Sequence, residues 1–322
     1  MDEPLFLVAD VGGTNTRVAL ARGRTVGTES VRRYANHDFA NLAPVLRRFV
    51  GELGEPALAG ACVAVAGPVA DGVAALTNLD WSIDTARLCE ATGAPGGAIL
   101  NDLQAQGHAL GHVDRASVRT VIEGPEREGA ARLVIGVGTG FNAAPVHVTA
   151  TGRLVPPCEA GHANLPVRTE AELRLCTFVS TAHGFPAVED VLSGRGLEQV
   201  YRWLATEAGS SDEFRASDIM DRIEGDPRAD AAVRQFVRIL GTVAGNLSLI
   251  HLPFGGVYLV GGVARAMGPH LDRAGFAAAF RDKGRFGGFM SNFAVFLVED
   301  DYAALTGCAA HLVERSGRVT TP

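Results

Sequence analysis

Two stretches of the chain repeat one pattern, in which a turn of glycine and threonine separates two apolar runs. The first reads LFLVADVGGTNTRVALARG from Leu5, and the second reads RLVIGVGTGFNAAPVHVTATGRLV from Arg132. Pro145 and the alternating residues around it disfavour a helix after the second turn, so each stretch is predicted to be a β-hairpin. Two such hairpins, far apart in one chain, predict two related α/β halves.

The remaining segments predict helices and strands that fit this plan. Helices are expected near 39–53 and 85–91, and the apolar run GAIL is expected to be a strand that leads into Asn101 and a further helix. Asp226 and Pro227 are typical of a helix start, and the long helix that follows contains Gly241 and Gly245, which allow close packing. A strand, GVYLVGG, and a last helix, DYAALTGCAAHLVERSG, complete the chain.

Composition limits the classes of partner and compartment. With 322 residues, 47% hydrophobic, the chain has the length of two ordinary domains. A formal net charge of −7 disfavours nucleic acid as a partner. The N-terminus resembles neither a signal peptide nor a membrane anchor, and the five scattered cysteines disfavour a disulfide framework. We therefore expect a cytoplasmic protein with no membrane partner.

The lysine content excludes common phosphate-binding motifs. Lys283, in RDKGR, is the single lysine of the chain. A Walker-type loop needs Gly-Lys-Ser/Thr, and a protein kinase needs a lysine on a VAIK-like strand, so neither motif is present. A nucleotide would have to be held without a lysine.

Both glycine–threonine turns are candidate phosphate sites. Asp10 ends the first strand, and a carboxylate there is suited to hydrated Mg²⁺, while Gly12, Gly13 and Thr14 offer backbone amides and a hydroxyl. In the second turn the corresponding residues are Gly138, Thr139 and Gly140. The alternative for either turn is an ordinary hairpin connection, but two opposed turns could position the β- and γ-phosphates of one nucleotide.

Asn101 and Asp102 lie where a predicted buried strand gives way to a helix. Ligands of α/β proteins usually bind outside the carboxyl ends of strands, and an amide with a carboxylate suits sugar hydroxyls. Taken alone, Asp102 is interpreted more simply as a helix cap.

Carboxylates and imidazoles occur in other segments as well. Glu159 and His162 share a turn of small residues, CEAGH, in which a metal site with Cys158 lacks a second Cys/His pair. Glu189 is predicted to begin a helical stretch, where the alternative is a solvated acid of its first turn. His108 and His112, four residues apart, are predicted to be a surface pair.

The chain resembles the bacterial glucokinase family of the hexokinase–actin–chaperone ATPase superfamily in strings that follow in order from the first strand to the last helix. These strings are DVGGTNTR, VAGPVADGVAALTNLDWSI, ILNDLQA, GVGTG, CEAGHANLP, EDVLSGRGLEQVYR, GGVYLVGGV and FRDKGRFGGFM. The cysteine-rich zinc motif usual in repressor-like sugar kinases is missing from the sequence.

The resemblance implies a fold, a reaction and a set of site residues. It implies a two-domain ribonuclease H-like (actin-like ATPase) α/β fold, with a small domain of residues 1–112 and 303–322, a larger α+β domain of residues 113–302, and a cleft between them. It also implies a homodimer that uses ATP and Mg²⁺ to phosphorylate the 6-hydroxyl of glucose. The roles implied are Asp102 as the base; Asn101, Glu159, His162 and Glu189 as ligands of the sugar; Asp10, Gly12, Gly13, Thr14, Gly138, Thr139 and Gly140 as contacts of the phosphates, with Mg²⁺ near Asp10 through water; and Gly261 and Gly262 beside the adenosine.

Two positions depart from the family pattern, and other functions stay open. Asn142 and Ala160 stand where glycine is frequent; Asn tolerates a left-handed backbone, and Ala160 would tighten the pocket if its φ had to be positive. The alternatives to a glucose kinase are a kinase of another hexose or N-acetylated amino sugar, a non-catalytic sugar sensor, and a nicotinamide oxidoreductase built on GVGTG.

Overall fold

The protein, described by a computed structural model over residues 3–76, 79–150 and 152–319, folds into two compact units. The first unit comprises Met1–Arg115, Val148–Pro157 and Asp300–Pro322, and the second comprises Ala116–His147 and Cys158–Glu299. The segment Val148–Pro157 thus belongs with the first unit, whereas the predicted domain ranges placed it in the larger domain.

The helices and strands follow one another in an irregular alternation. The strands are β1 (Leu5–Val11), β2 (Asn15–Arg22), β3 (Thr25–Val26), β4 (Arg32–Ala35), β5 (Gly60–Val65), β6 (Val69–Ala70), β7 (Val73–Ala75), β8 (Ser82–Asp84), β9 (Gly97–Asn101), β10 (Val118–Ile122), β11 (Arg132–Val137), β12 (Phe141–Thr149), β13 (Gly152–Leu154), β14 (Val257–Val260) and β15 (Val295–Val298). The helices are α1 (Leu42–Glu52), α2 (Thr85–Thr92), α3 (Asp102–Ala109), α4 (Glu170–Ser180), α5 (Gly194–Glu207), α6 (Ala216–Asp221), α7 (Pro227–His251), α8 (Gly262–Met267), α9 (Phe276–Arg281) and α10 (Ala303–Val319).

The first unit is built on a mixed sheet with the strand order β3-β2-β1-β5-β9, and β4 also pairs with β2. Strands β1 and β2 form the predicted antiparallel hairpin, which is confirmed, whereas β1, β5 and β9 run parallel. All six residues of β5 are buried, as expected for a parallel strand covered on both faces. A small antiparallel sheet, β6-β7-β8, belongs to the same unit.

Alternation along β1 distributes its side chains to two cores. Leu7 and Ala9 pack in a cluster with α1 and α2, while Phe6 and Val8 pack in another with α3 and α10. Each face of the sheet is therefore covered by helices, which holds the carboxyl ends of the parallel strands in fixed positions.

The second unit is built on a sheet with the order β10-β15-β14-β11-β12. Its central strands β15, β14 and β11 run parallel, and β11 and β12 form the second predicted hairpin, which is also confirmed. Asp226 caps α7, as predicted, and its side chain accepts the Arg228 amide at 2.8 Å. The predicted close packing at Gly241 is confirmed, because a Cβ there would lie 2.5 Å from the Phe276 carbonyl oxygen of α9.

The predicted surface pair of histidines is wrong. Helix α3 ends at Ala109, and His108 is buried with 4% of its surface exposed. Its Nε2 lies 3.2 Å from Nδ1 of His311 on α10, whereas Nε2 of His112 lies 2.8 Å from the Arg153 guanidinium. The four-residue spacing cannot reveal this difference, because packing of α10 on α3 decides which face of α3 is buried.

A buried carboxylate ties α10 to the β13 segment. Glu314 accepts hydrogen bonds from the Arg153 guanidinium at 2.6 Å and from the Arg153 amide at 2.9 Å, and it lies 3.7 Å from the His108 ring. Burial alone would raise the pKa of Glu314, but these neighbours outweigh burial and lower it to about 2. The carboxylate therefore stays ionised inside the unit.

No helix within the described ranges is both long enough and apolar enough to cross a lipid bilayer.

The Glu314→Gln variant should flatten the acid side of the stability profile. Because the pKa of Glu314 is about 2 in the folded state and near 4.5 otherwise, its contribution of about 3 kcal/mol is complete above pH 4.5 and is lost as the pH falls towards 2. Urea unfolding from pH 7 to pH 3 measures this slope. The control is Glu90→Gln, which removes an exposed ion pair with Arg47 and should keep the wild-type slope. Equal slopes for all three proteins would contradict the role of Glu314.

Candidate functional site

The tip of the first glycine–threonine turn is exposed, and the buried side chain of Asn36 stabilises the turn. Gly13 and Thr14 are exposed to solvent, while Asn36 is 2% exposed. Asn36 donates to the Gly12 carbonyl at 2.8 Å from its side chain and to the Thr14 carbonyl at 2.9 Å from its backbone. Its Oδ1 accepts the Thr16 hydroxyl at 2.8 Å. The turn is thus fixed in a shape that leaves Gly13 and Thr14 open to a ligand.

Asp10 lies at the last-but-one position of β1, with a quarter of its side chain exposed. Burial raises the pKa of Asp10, and the Arg17 guanidinium, 3.8 Å away, acts in the opposite direction. Over the residues that the structure describes, no three or more His, Cys, Asp or Glu side chains cluster as a metal site. One accessible carboxylate nevertheless fits Mg²⁺, which keeps most of its waters and uses few protein ligands.

Asn101 and Asp102 lie at the same sheet edge as the first turn. Val11 is in register with Val65, and Val65 is in register with Asn101, so the three parallel strands end in one row. With adjacent strands 4.7–4.9 Å apart, Asn101 lies about 10 Å from Val11. The structure therefore brings Asp10, the first turn and Asn101-Asp102 to one edge, where α/β folds place ligands.

The helix cap at this edge is Asn101 and not Asp102, so the simpler interpretation of Asp102 is wrong. Oδ1 of Asn101 accepts the Leu103 amide at 3.0 Å, and its Nδ2 donates to the Gly67 carbonyl at 3.0 Å. Gln104 completes a capping box by accepting the Asn101 amide at 3.0 Å. Asp102 occupies the first helical position, half-buried, and its Oδ1 also accepts the Leu103 amide, at 2.8 Å.

The second glycine–threonine turn contains an internal backbone hydrogen bond and is bonded to the start of α5. The Gly138 amide donates to the Gly140 carbonyl at 2.9 Å, and the Gly138 carbonyl accepts the Gly194 amide at 3.0 Å. Thr139, at the tip of the turn, is exposed. The turn therefore has a fixed base and an accessible tip, as the first turn does.

Gly261 and Gly262 lie beside this second turn. Strands β11 and β14 run parallel with Gly136 opposite Val260, so Gly261 follows β14 where Gly138 follows β11. Gly261 has φ of +101°, and a Cβ on it would lie 2.5 Å from the Val137 carbonyl oxygen. This position requires glycine on both counts, whereas Gly262 has open space around it.

Glu189 connects to the second turn through one carboxylate oxygen. Its Oε2 accepts the Phe141 amide at 2.9 Å, and its Oε1 lies 3.9 Å from the Arg195 guanidinium. Glu189 belongs to the 3-10 turn Val188–Asp190, and the helix that it was predicted to open begins only at Gly194, with Ser193 as the cap.

The turn with Glu159 and His162 presents both side chains to solvent. They are about two-thirds exposed, and Nε2 of His162 lies 4.0 Å from Oε2 of Glu159. Gly161 between them is buried, with Glu189 Cβ 3.5 Å from where its own Cβ would be. A pocket of about 400 Å³ beside this turn is lined by His162, His183, Glu189, Asp190, Ser193 and Arg195, among others.

Asn142 and Ala160 do not need a left-handed backbone. Among the non-glycine residues that the structure describes, positive φ occurs at Glu55, Asp71 and Leu252. The condition under which Ala160 would tighten the pocket, a positive φ, is therefore not met, and the feature that distinguishes Asn142 is its side chain. Its Oδ1 accepts the Ala160 amide at 2.9 Å, and its Nδ2 donates to the Cys158 carbonyl at 2.5 Å.

The structure sorts the predicted residues into two groups, one in each unit. The first group, at the edge of β1, β5 and β9, is Asp10, Gly12, Gly13, Thr14, Asn101 and Asp102. The second group, around the carboxyl ends of β11 and β14, is Gly138, Thr139, Gly140, Glu159, His162, Glu189, Gly261 and Gly262. Sequence reasoning missed the supporting amides of Asn36 and Gln104 and the side-chain contacts of Asn142. No local motif marks Asn36, whereas the spacing of Asn101 and Gln104 is a capping-box signal.

Two solved structures with the same fold are glucokinases. A glucokinase from an Antarctic psychrotroph is 30% identical, with a TM-score of 0.85 over 96% of this chain and 98% of that one. A glucokinase from Balamuthia mandrillaris, solved in complex with glucose, is 24% identical, with a TM-score of 0.82 over 97% and 94% of the two chains. The fold is therefore that of a two-domain sugar kinase, and the predicted ribonuclease H-like fold class is confirmed.

Sequence comparison narrows the class to one family. The glucokinase family profile matches residues 7–315. The glucokinase of Pectobacterium atrosepticum is 31% identical over 95% of this chain and 96% of its own length. The chain belongs to the glucokinase family.

The Gly261→Ala and Gly262→Ala variants should differ in stability although the chemical change is the same. Alanine at 261 must adopt a backbone conformation almost confined to glycine and meets the Val137 carbonyl, so we expect a loss of roughly 1–3 kcal/mol in the free energy of unfolding. Alanine at 262 meets open space at the start of α8. Thermal and urea unfolding of both variants check this, and equal stability of the two would refute the requirement for glycine at 261.

Proposed function

We propose that this protein transfers the γ-phosphate of ATP to the 6-hydroxyl of glucose, with Asp102 as the general base. The observation that carries the proposal is the common edge of β1, β5 and β9, which holds Asp102 with Asp10 and the first glycine–threonine turn. Membership of the glucokinase family supports the same reaction.

The sugar is proposed to bind through side chains that pair with its hydroxyls. Asn101 supplies an amide, while Glu159, His162 and Glu189 supply carboxylates and an imidazole. The exposure of Glu159 and His162 supports their assignment, because both side chains remain accessible to a ligand. The pocket of about 400 Å³ lined by His162 and Glu189 has space for a hexose.

The nucleotide is proposed to bind through backbone groups rather than a lysine. Gly12, Gly13 and Thr14 contact phosphates in the first unit, Gly138, Thr139 and Gly140 do so in the second, and Gly261 and Gly262 border the adenosine. The position of the single lysine supports this assignment. Lys283 donates to the Thr242 carbonyl of α7 at 3.0 Å and so is used in packing against that helix. The exposed Gly13 backbone and the exposed Thr14 and Thr139 side chains are donors that the two turns can offer.

The chemistry assigned to the protein is orientation and proton removal. Asp102 orients the 6-hydroxyl and accepts its proton late, because phosphoryl transfer has a loose transition state with little early need for a strong base. Mg²⁺ held through water by Asp10 would supply charge neutralisation on the phosphates. Closure around the sugar would exclude water and so prevent ATP hydrolysis.

Domain boundaries, assembly and compartment complete the proposal. The domains are proposed to be a small one of residues 1–112 and 303–322 and a large one of residues 113–302, with Val148–Pro157 joining the small domain as it does the first unit. The enzyme acts as a homodimer in the cytoplasm, without nucleic acid or membrane as a partner. The five thiols support a reducing compartment, since each cysteine is free and Cys62 and Cys308 are buried.

A coupled ADP-release assay over a panel of sugars tests the function. Glucose should give a higher kcat/KM than mannose, fructose or N-acetylglucosamine, because a displaced or replaced hydroxyl leaves its polar partner in the site unpaired. The matched control is 6-deoxyglucose, which keeps the ring hydroxyls but lacks the accepting oxygen. It should inhibit competitively and release no ADP.

Each outcome of this assay separates the candidates. Faster turnover of another hexose or of an amino sugar would replace glucose as the substrate. Glucose binding without ADP release would indicate a sensor rather than a kinase. Turnover of 6-deoxyglucose would move the site of phosphorylation away from the 6-hydroxyl.

The Asp102→Asn variant should lose turnover while it keeps the fold and glucose binding. Asparagine still offers an oxygen to the Leu103 amide, so the start of α3 is preserved, but the base is gone. We expect kcat to fall roughly 10²–10⁴-fold, with a much smaller change in the Kd of glucose. Steady-state kinetics and calorimetric glucose titration measure the two quantities. Near-normal turnover in the folded variant would remove Asp102 from the role of base.

A further inference from the structure

The side chain of Asn142 bridges two backbone groups of the turn that carries Glu159. Its Oδ1 accepts the Ala160 amide at 2.9 Å and its Nδ2 donates to the Cys158 carbonyl at 2.5 Å. These two groups flank Glu159 in the chain, so both neighbours of Glu159 are fixed by a single amide. We refer to this pair of hydrogen bonds as the Asn142 clamp.

The amide of Asn142 is itself held in place. Its Oδ1 also accepts the Ala143 amide at 2.8 Å, and Asn142 is half-buried near the start of β12, paired with Gly136 of β11. The clamp therefore joins the Glu159 turn to a strand that packs in the core of the second unit.

The start of β12 also forms a hydrogen bond with Glu189, the other carboxylate proposed to bind the sugar. Phe141, the residue before Asn142, donates its amide to Glu189 Oε2 at 2.9 Å. Phe141 follows Gly140 directly. Hydrogen bonds therefore connect both the Glu159 turn and the Glu189 side chain to β12, the strand that follows the second glycine–threonine turn. Replacement of Asn142 removes the support of Glu159 and leaves the support of Glu189 intact.

The clamp adds to one local hydrogen bond, in which the Glu159 carbonyl accepts the His162 amide at 3.2 Å, and it supports a side chain that is otherwise little restrained. The Glu159 side chain is about two-thirds exposed, and the contact with His162 is long, at 4.0 Å. An exposed carboxylate on an unrestrained turn would lose backbone and side-chain freedom on binding a sugar, which weakens affinity. A turn fixed beforehand avoids part of that loss.

We propose that Asn142 is a positioning residue for sugar binding, which fixes the backbone on both sides of Glu159 before the sugar arrives. The inference rests on the proposed function, since it takes Glu159 as a sugar ligand. It goes beyond the family pattern, because a glycine at this position has no side chain with which to form the clamp.

Three variants separate positioning from general stability. Asn142→Ala removes both hydrogen bonds. Asn142→Asp keeps an acceptor for the Ala160 amide but places a carboxylate oxygen against the Cys158 carbonyl. Asn41→Ala is the matched control, because it makes the same chemical change at the cap of α1, in the first unit, where Asn41 accepts the Ala43 amide at 3.1 Å.

Kinetics provide the first readout. Asn142→Ala should raise the KM and the Kd of glucose roughly 5- to 30-fold, the effect of losing one or two hydrogen bonds, while kcat and the KM of ATP stay within about twofold. Asn142→Asp should show a defect in glucose affinity of the same sign. Asn41→Ala should lower the melting temperature without changing either KM. Wild-type glucose affinity in Asn142→Ala or Asn142→Asp, or a loss confined to kcat, would overturn the proposal.

Amide hydrogen exchange provides a second readout that does not depend on activity. Asn142→Ala should accelerate exchange in the segment 158–163 and leave the strands β11 and β14 unchanged, whereas Asn41→Ala should not affect that segment. Unchanged exchange in 158–163 would show that the clamp does not restrain the turn, and would overturn the proposal even if the wild-type enzyme phosphorylates glucose. A wild-type protein without glucose-dependent ADP release would instead refute the proposed function, and the exchange data would still decide whether the clamp exists.

Discussion

The parallel register of β1, β5 and β9 is the constraint on which the chemistry of the first unit depends. Because Val11, Val65 and Asn101 end in one row, a carboxylate on β1 and an amide–carboxylate pair after β9 face the same edge. The register is stabilised by burial: every residue of β5 is buried, and helices cover both faces of the sheet. A slip of one residue would turn each side chain to the opposite face and expose apolar surface, so the edge is fixed as firmly as the core.

The second unit also positions its candidate site residues through parallel strands in register. Its parallel strands β11 and β14 end beside each other, one in the second glycine–threonine turn and the other in Gly261. The turn docks on α5 through Gly194, and Glu189 accepts the amide that follows the turn. Backbone groups therefore form both turns, and the single lysine belongs to neither, because Lys283 donates to the Thr242 carbonyl.

Side-chain amides hold backbone segments together in both units. Asn36 holds the first turn through the Gly12 carbonyl, Gln104 joins the Asn101 amide to the Val155 carbonyl, and Asn142 holds the Glu159 turn. An amide can donate and accept at once without carrying a net charge, so it can join two backbone segments without adding an ionised group. The carboxylates of Asp102 and Glu189 also accept backbone amides, from Leu103 and Phe141, so amides and carboxylates both support the backbone here.

The amino-acid sequence by itself determined the two hairpins, the long helix from Pro227, the fold class and the family, because each depends on local periodicity, turn chemistry or ordered motifs. It also located the two turns by their glycines. Tertiary structure alone decided that His108 is buried against His311 while His112 contacts Arg153, and that Asn142 reaches the turn 16–18 residues further along the chain. These features depend on contacts between segments distant in sequence, and local pattern carries no record of which segments pack together.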